Sequence, residues 1–576
     1  MSKHQTKEQT EYRKNLKTYH KYSARHVLVM EADISEQLKR KVFHYSELER
    51  KASNELIAIM KNNFEQLTRT KRYRKLKRLY GKYKEKRDNK KLSSITNDMT
   101  IMQKQYGVTW GNCRKAMISV QKKYGIDAIF ALTRAEDVWK GVEKCLYFDG
   151  RTLHFIKRGN FPCIRAKQSN RGIIILAKDG KLMFKWNKEM INVKIKDRFE
   201  TDEVNAVLEY LSHSDEIDKK AVDTLQKEGM CISTYRPCYA TLVCKVIRGK
   251  LRVYVHLTIE GIAKSKYKRN GEKRYSYSSG TVGCDIGTQT IAYTSDSEVG
   301  LKNLAEKGRT RLNEKKQRHI YRAMERSRRA SNKNNYNEDG TVKKGRKVWK
   351  ESKRYKKLKA KHKELCRINA ENRRLAINED VNRLRSLGNV FVTEQKNTKK
   401  LQKRAKKTTI NKNGKYNRKK RFGKSIQNRC PGYFQEQVKK KFESTGGVYI
   451  EVPADYRASQ YDHTCDDYIK KKLSDRMYCL FDGTLVQRDW YSSFLLYNID
   501  YITMTIDKNR CKQSFAIQYA REKVLIERIK TNHIKVLNSG IKLVYNKKNK
   551  KREIDYHFLV EIQKTVANVV VGLLDC

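Results

Sequence analysis

Three acidic residues stand at the boundaries of predicted secondary-structure elements. Asp285 follows a short apolar strand, Glu394 ends another, and Asp489 opens an amphipathic helix. They lie 109 and 95 residues apart, so no local motif links them. Carboxylates at such positions can hold a pair of divalent ions about 3.5–4 Å apart, which activate a water and stabilise a leaving oxygen. Mg²⁺ suits an all-oxygen site of this kind, and Mn²⁺ could replace it.

The stretch 281–293 around Asp285 predicts a buried strand, a turn assisted by Gly287 and a second strand. A plain β-hairpin with a turn aspartate has the same pattern. The stretch also resembles two enzyme families. Sugar kinases and actin-like ATPases set Asp-x-Gly-Thr under a nucleotide phosphate, whereas RuvC-like nucleases carry their first catalytic aspartate on such a strand. Each acid taken singly is more often structural, so the choice depends on the rest of the chain.

The charge of the chain favours a nucleic-acid partner. Lys and Arg total 129 against 63 Asp and Glu, which gives a net charge of +66. Such a charge repels itself strongly unless a polyanion neutralises it, and a metabolic kinase has no use for it. The 576 residues are enough for several domains, while 38% hydrophobic content and a mean hydropathy of −0.84 leave much of the chain in contact with water.

The cysteine pattern and the hydropathy predict a cytoplasmic location. Thirteen cysteines are scattered without any Cys-x-x-Cys, and no secretory signal or apolar run of about 18 residues is present. We therefore expect reduced thiols and no membrane association.

Changes of hydrophobic period divide the first half of the chain. Residues 1–20 are polar and basic and predict a flexible arm. A short strand follows within 21–32, and apolar residues then return every three or four positions over 33–145, which indicates a helical domain. Residues 146–280 are rich in strands and hairpins. We expect the strand in 21–32 to join their sheet, so that the helical domain is an insertion.

The second half predicts an α/β domain made of 281–455 and 485–576, with an insert at 456–484. Within it, 301–386 forms a basic helical hairpin. The segment 396–424 holds 14 Lys or Arg and no acid, which predicts a flexible loop that settles on a phosphate backbone beside the acids.

Two basic segments supply the candidate nucleic-acid contacts. Residues 71–83 interleave cations with aromatic side chains, as backbone contacts and stacking platforms require. A solvated helix face with its aromatic residues packed beneath explains the same pattern, and the two interpretations are compatible. The predicted contacts are Lys71, Arg72, Tyr73, Arg74, Lys75, Lys77, Arg78 and Tyr80, together with Lys403, Arg404, Lys406, Lys407, Arg418, Lys419, Lys420 and Arg421.

Four motifs of the second half occur together: Val-Gly-Cys-Asp-Ile-Gly at 282–287, Val-Phe-Val-Thr-Glu at 390–394, Gly-Lys-Ser-Ile at 423–426 with Pro431-Gly432, and Gln-Arg-Asp-Trp-Tyr-Ser-Ser-Phe at 487–494. Through these motifs, residues of about 281–500 resemble TnpB, the transposon-encoded RNA-guided nucleases, and their relatives the small type V CRISPR effectors. Upstream of residue 281, only the order of the predicted domains matches that family.

The resemblance implies a multidomain α/β and α+β protein. It has a RuvC (RNase H-like) nuclease domain and a wedge-like β-barrel domain with an inserted helical recognition domain. The catalytic and Mg²⁺-binding triad carries over to Asp285, Glu394 and Asp489, and Arg488 would support the site or hold the scissile phosphate. The implied protein is a Mg²⁺-dependent endodeoxyribonuclease of a prokaryotic cell, nucleoid-associated when on its target. It binds a guide RNA, recognises a short motif beside a double-stranded DNA target and forms an RNA–DNA heteroduplex.

Two departures from the family pattern concern the binding of structural zinc and the rate of DNA cleavage. Many relatives carry paired Cys-x-x-Cys before the last acid, whereas this chain has Asp462-x-x-Cys465 and Cys479-x-x-Asp482. We predict a degenerate, zinc-free mini-domain, because this donor set fits zinc poorly. The stretch 489–493 is Asp-Trp-Tyr-Ser-Ser, where many relatives have Asp-x-Asn-Ala-Ala. The residue that supports the Asp489 carboxylate from behind therefore differs, and the sequence does not determine the cleavage rate.

Two alternatives compete with the guided nuclease. One is an RNA-guided DNA-binding protein with weak or no cleavage, which the three intact acids disfavour. The other is a guide-independent, resolvase-like nuclease, which the long region before residue 280 disfavours. The source of the guide in a CRISPR array or a transposon end, its length, the flanking motif and the choice between monomer and dimer are not determined by these residues.

Overall fold

A computed structural model of the chain describes residues 7–86, 88–148, 150–160, 163–404, 408–411, 414, 422–453, 456–470, 475–532, 534–541, 543–545 and 552–554. It combines helices with sheets and divides into two compact units, Met1–Tyr267 and Lys268–Cys576. The hydrophobic pattern of the sequence placed the boundary between the two halves of the chain at residue 280, thirteen residues after the end of the first unit. Within the described ranges, no helix has both the length and the apolar content needed to cross a bilayer.

The first unit contains a bundle of long helices. Its helices are α1 Lys7–Tyr22, α2 Glu36–Arg69, α3 Lys71–Glu85, α4 Asn89–Gln105, α5 Trp110–Tyr124, α6 Ala128–Tyr147, α7 Arg198–Ser212 and α8 Ser214–Glu228. Capping sets several boundaries: the Ser35 side chain accepts the Leu38 N–H at the start of α2, and α5 ends at Gly125 in the left-handed conformation. The apolar faces of α2 to α6 bury one core that includes Leu56 and Met60.

Helix α1 corrects the prediction of a flexible arm over residues 1–20. Residues 7–20 are helical, and residues 1–6 lie outside the described residues. Tyr19 is fully buried, and its hydroxyl donates to the carbonyl oxygen of Ile232. Tyr19 thus anchors the helix by its burial. The other residues of α1 are mostly polar and basic, so the sequence pattern did not reveal that one face of the helix is packed.

The strands of the first unit form one antiparallel sheet with the order β2-β6-β7-β1-β5-β4-β3. The strands are β1 Arg25–Asp33, β2 Ile164–Arg165, β3 Ile173–Lys178, β4 Lys181–Trp186, β5 Glu189–Lys194, β6 Pro237–Ile247 and β7 Lys250–Glu260. Strand β1 pairs with both β7 and β5, so helices α2 to α6, which lie between β1 and β2 in the chain, are inserted between two strands of one sheet. In the part of the chain that the structure describes, no ladder joins β2 to β3, so the hydrogen-bonded sheet is open, whereas the resemblance implied a closed barrel.

The second unit is built on a five-stranded sheet with the order β10-β9-β8-β11-β12. Its strands are β8 Thr281–Ile286, β9 Thr290–Ser295, β10 Val299–Asn303, β11 Val390–Glu394 and β12 Val448–Val452. Strands β8 to β10 form an antiparallel meander, while β11 runs parallel to β8 and β12 parallel to β11. The carboxyl ends of β8, β11 and β12 therefore meet at one edge, beside the point where the chain order switches sides, which is where open α/β sheets bind ligands.

Helices and short hairpins surround this sheet. They are α9 Thr310–Ala330, α10 Lys353–Arg385, α11 Thr398–Gln402, α12 Gly423–Arg429, α13 Pro431–Ser444, α14 Arg488–Tyr497 and α15 Lys508–Thr531, with β13 Tyr461–Asp462, β14 Asp467–Tyr468, β15 Met477–Cys479, β16 Leu485–Gln487, β17 Leu543–Tyr545 and β18 Arg552–Ile554. Helices α9 and α10 form the expected hairpin, joined by a 3.0 Å hydrogen bond from the Asn369 amide to Gln317. Residues 301–303 of the predicted hairpin belong instead to β10, a strand too short for its alternation to be recognised.

Helix α14 lies directly on β8 because residue 283 has no side chain. A Cβ atom built on Gly283 would collide with the Ser493 carbonyl oxygen and the Tyr497 nitrogen, and would lie 2.7 Å from Tyr497 Cα. The packed face of α14 is fixed by a buried 2.9 Å hydrogen bond between the hydroxyls of Thr294 and Ser493. The backbone of β8 thus sets the position of α14.

We expect Gly283→Ala to lower the melting temperature of the protein by several degrees. The added methyl group meets helix backbone, which cannot rotate away, and overpacking of this kind costs about 1–3 kcal/mol or more. The matched control is Gly81→Ala on α3, where a Cβ meets nothing within 4 Å. The control should be neutral or slightly stabilising, because alanine favours a helix over glycine. Equal melting temperatures for the two variants would contradict the packing argument.

Candidate active site

The structure brings the three predicted acids to one edge of the five-stranded sheet. Strands β8 and β11 are parallel, and their register pairs Thr393 with Cys284, so the next residues along, Glu394 and Asp285, stand side by side where the strands end. Asp489 lies in the first turn of α14, which packs against β8. The positive end of a helix dipole favours a carboxylate there.

The acids affect one another electrostatically. Burial, followed by the negative charge of Asp285, raises the pKa of Glu394, and the backbone N–H of Ala458 opposes this by donating to its carboxylate. Burial and then Asp285 also raise the pKa of Asp489 to about 6. Each effect means that the folded chain resists the ionised form of the acid. A cation that binds near these carboxylates is therefore stabilised, because it reduces the repulsion between them.

Lys396 supplies one such cation and was not predicted. Its ammonium group contacts Oδ1 of Asp285 and donates a 2.7 Å hydrogen bond to the carbonyl oxygen of Ile286. Although burial acts against the charge, the carboxylates of Asp285, Glu394 and Asp489 raise the pKa of Lys396. Lys396 is therefore held in its charged form against Asp285.

A sequence signal for Lys396 does exist. It stands two residues after Glu394, and alternate residues of an extended chain share a side. The backbone N–H of Gln395 donates to the Val452 carbonyl oxygen at 3.1 Å, so the ladder between β11 and β12 continues past its last strand residue. This pairing keeps Glu394 and Lys396 on the same edge of the sheet. The alternation that predicts strands thus also predicts the position of Lys396.

Two arginines complete the charged surroundings of Asp489. Arg476, which precedes β15, places Nη1 3.8 Å from Oδ1 of Asp489. Arg476 and then Arg488 act to lower the pKa of Asp489, against the larger effect of burial. Arg488 is thus close enough to Asp489 to act on its charge, and its role in supporting the site or holding a phosphate stays a prediction. Arg476 was missed because nothing in the sequence links the insert that carries it to the acids.

The donor chemistry of the site fits a divalent cation. The three carboxylates provide the oxygen ligands that Mg²⁺ prefers, and their mutual repulsion favours a positive ion among them. Across the residues that the structure describes, however, no three His, Cys, Asp or Glu side chains converge as ligands of one metal ion. The ammonium group of Lys396 contacts Asp285 instead.

The insert at 456–484 is organised by hydrogen bonds from Asp462. Its Oδ1 accepts the Thr464 N–H at 3.0 Å and the Thr464 hydroxyl at 2.7 Å, and its Oδ2 accepts the Phe481 N–H at 3.1 Å. This carboxylate ties the hairpin of β13 and β14 to that of β15 and β16. The neighbouring His463 lies 2.7 Å from the Tyr491 hydroxyl of α14, which joins the insert to the helix that carries Asp489.

The four predicted zinc-like positions therefore have different surroundings. Asp462 is fully buried in its hydrogen bonds, while Asp482 accepts the Thr484 N–H at 2.9 Å within a turn. Cys465 and Cys479 are free thiols. The absence of structural zinc stays a prediction, and these hydrogen bonds suggest how the insert folds without one.

We expect Asp462→Ala to destabilise the protein by about 1–3 kcal/mol, because the Thr464 and Phe481 N–H groups lose their acceptor. The measurement is the midpoint of urea unfolding, and the control is Asp467→Ala, whose exposed carboxylate accepts a neighbouring N–H. A metal chelator should leave the midpoint of the unsubstituted protein unchanged. Release of zinc with a lower midpoint would contradict the prediction of a zinc-free insert.

Helix α3 separates the predicted nucleic-acid contacts into two groups. Tyr73 is fully buried, so its prediction as a stacking platform is wrong: its ring packs in the core. Lys77 donates to the Cys145 carbonyl oxygen, and burial lowers its pKa. Tyr80 is half-buried with its ring 6.0 Å from that of Tyr147.

The remaining side chains of this segment are available to a ligand. Lys71, Arg72, Arg74, Lys75 and Arg78 are all exposed. Four of them, together with Lys77, line a surface cavity of about 790 Å³. A cavity lined by cations from one helix face suits the phosphates of a nucleic-acid strand.

The basic loop is described in part. Lys403 and Arg404 are exposed just after α11. The other predicted contacts of this loop lie outside the described residues: Lys406, Lys407, Arg418, Lys419, Lys420 and Arg421.

We expect Asp489→Asn to raise the melting temperature at pH 7.5 in the absence of divalent cations. A carboxyl whose pKa rises from its ordinary 3.8 to about 6 on folding destabilises the fold by up to about 3 kcal/mol at neutral pH. This unfavourable contribution is complete above about pH 6 and vanishes below about pH 4, where both the folded and the unfolded chain bind the proton.

The advantage of Asp489→Asn should therefore shrink when the same comparison is made at pH 4.5. The control is Glu443→Gln, on the exposed face of α13, which should change the melting temperature little at either pH. An unchanged or lower melting temperature for Asp489→Asn at pH 7.5 would show that Asp489 is not held against its charge.

Comparisons with known proteins place few constraints on the chain. No protein-family model matches it, and no curated protein matches it. Among solved structures, it is similar to the Cas12i1 R-loop complex before target DNA cleavage, with 8% identity and a TM-score of 0.26 over 90% of this chain and 68% of that chain. The complex after target DNA cleavage has 9% identity and a TM-score of 0.27, over 90% of this chain and 68% of that chain. The selenomethionine-derived complex before cleavage has 9% identity and a TM-score of 0.27, over 96% of this chain and 71% of that chain. The function is therefore inferred from the residues of the site.

Proposed function

We propose that the protein is an RNA-guided DNA endonuclease whose second unit is a RuvC-like, RNase H-type nuclease domain. One observation carries the proposal. Carboxylates from β8, β11 and α14 come together at the carboxyl edge of a sheet, where burial and then the charge of Asp285 raise the pKa of Glu394 and of Asp489, in a chain of net charge +66. A cluster of repelling acids requires cations, and a strongly basic chain requires a polyanion. A metal-dependent enzyme acting on nucleic acid meets both requirements.

Asp285, Glu394 and Asp489 would hold the metal. Mg²⁺ bound there supplies an activated water and stabilises the oxygen that leaves the phosphodiester. The protein's own contribution is positional: β8 and β11 fix two carboxylates through their backbone ladder, and α14 brings the third. Arg476 and Arg488 lie beside Asp489, where their charges can attract the phosphate of a DNA strand.

The basic surfaces would hold the nucleic acids. The exposed cations of α3 and the basic loop 396–424 can each contact several phosphates, which positions a strand without specifying its sequence. In the proposed division of labour, base pairing with a guide RNA specifies the target, while the protein recognises shape and a short flanking motif. The origin of the guide in a CRISPR array or a transposon is open to experiment.

A second candidate function is RNA-guided DNA binding without cleavage. The contact between Lys396 and Asp285 favours it, because an ammonium group against the first carboxylate competes with a metal ion for the same oxygen. The raised pKa values of Glu394 and Asp489 support the nuclease instead. Burying these two carboxylates destabilises the fold, and the arrangement becomes useful when a cation binds to them.

We expect Asp285→Ala to abolish Mg²⁺-dependent cleavage. The protein is purified from cells that carry its native genomic neighbourhood, the copurifying RNA is sequenced, and matching double-stranded DNA is offered with Mg²⁺. Loss of a partner that merely orients a metal ligand costs about 10–100-fold, so loss of a ligand should cost more than about 100-fold. Glu443→Gln, remote from the acids and exposed, is the control and should cleave normally.

The outcomes separate the candidate functions. A discrete RNA with cleavage of matching DNA by the unsubstituted protein supports the guided nuclease, and the source of that RNA distinguishes CRISPR from transposon. A discrete RNA with binding and no cleavage supports the binding protein. Cleavage of branched DNA without a specific RNA would contradict both and favour a resolvase-like enzyme.

A further inference from the structure

Lys396 places a positive charge against Asp285, where the charges of Glu394 and Asp489 also act on it. Its Nζ contacts the Asp285 carboxylate and lies 2.7 Å from the Ile286 carbonyl oxygen. A carboxylate oxygen and a backbone carbonyl oxygen are also ligands that a hard divalent cation takes. The ammonium group thus uses oxygens that a metal ion at Asp285 would need.

The backbone keeps Lys396 in this place. The Gln395 N–H donates to the Val452 carbonyl oxygen, which extends the ladder of β11 up to the residue before Lys396. The Lys396 side chain is 29% exposed and the Asp285 side chain 15% exposed, so water screens their attraction only in part. The pair is therefore a built feature of the sheet edge, in contrast to the exposed ion pairs on the helices.

The charges around the acids already balance. When they are ionised, Asp285, Glu394 and Asp489 carry three negative charges, and Lys396, Arg476 and Arg488 interact with them as three positive charges. One divalent cation leaves an excess of two positive charges, which a phosphodiester reduces to one. Two divalent cations leave an excess of four, and the second ion would lie close to the ammonium group. Repulsion between like charges in a partly buried site makes the second ion unfavourable.

We propose that Lys396 stands in for one of two divalent cations, so that the site takes a single metal ion. The inference rests on the proposed function, in which the three acids form the metal-binding set. Lys396 is then a positioning residue: it holds Asp285 and supplies a fixed positive charge, while one divalent cation binds the remaining carboxylate oxygens. This number of ions differs from the pair that the three acids predict from sequence alone.

The test counts bound Mn²⁺ in the full-length protein after nucleic acid has been removed at high salt. Free Mn²⁺ is measured by its electron paramagnetic resonance signal during a titration. We expect one ion per chain in the unsubstituted protein and two in Lys396→Met, which keeps the length of the side chain and removes its charge. The ion that the unsubstituted protein binds should also bind at least about tenfold more tightly in Lys396→Met.

Two controls anchor the count. Lys439→Met removes an exposed lysine of α13 and should behave as the unsubstituted protein. Glu394→Ala should lose the bound ion, which assigns the count to this site. Circular dichroism and the melting temperature establish that each variant is folded, and Lys396→Gln replaces Lys396→Met if the latter does not fold.

The inference and the proposed function fail differently. Two ions in the unsubstituted protein, or one ion in both that protein and Lys396→Met, would overturn the role of Lys396 and leave the metal-dependent nuclease standing. No ion in the unsubstituted protein with one or more in Lys396→Met would mean that Lys396 excludes metal, which also overturns the inference. No ion in any variant would overturn the proposed function itself.

Discussion

The close contact between Gly283 and α14 is the constraint on which the arrangement of the acids depends. A residue with a side chain at this position would hold the helix away from the sheet. With glycine there, α14 packs on β8, and Asp489 in its first turn lies close enough to Asp285 for the two charges to interact. The geometry of the site is thus set by backbone packing rather than by bonds among the acids themselves.

The surroundings of α14 maintain this contact against the repulsion of the charges. Trp490, Tyr491 and Phe494 are fully buried in one aromatic cluster with residues of the insert and of α15. Buried aromatic area of this size is a large favourable contribution to folding. Helix α14 thus carries both the unfavourably buried Asp489 and much of the local core. The favourable burial of its aromatic side chains offsets the cost of removing the Asp489 carboxylate from water.

Local patterns in the sequence predicted some parts of this structure well. Helical periodicity located the helices between 36 and 147, and the position of each acid at the end of a strand or the start of a helix predicted their approach. These features depend on neighbours along the chain. The packing of Tyr73 inside the helical unit, the helix anchored by Tyr19 and the approach of Arg476 to Asp489 depend on residues far away in sequence, so composition and spacing could not predict them.

The central place of β1 in its sheet bears on how the chain folds while it is being synthesised. Glu31 pairs with Tyr254, 223 residues later, so β1 leaves the ribosome long before the strand that it pairs with. At roughly 5–20 residues per second, the delay is on the order of 10–45 s. During that time the edges of β1 have no partner strands, and its apolar residues Leu28 and Met30 do not yet belong to a sheet. The inserted helices, whose contacts are local, can form first and shield this strand from aggregation until its partners arrive.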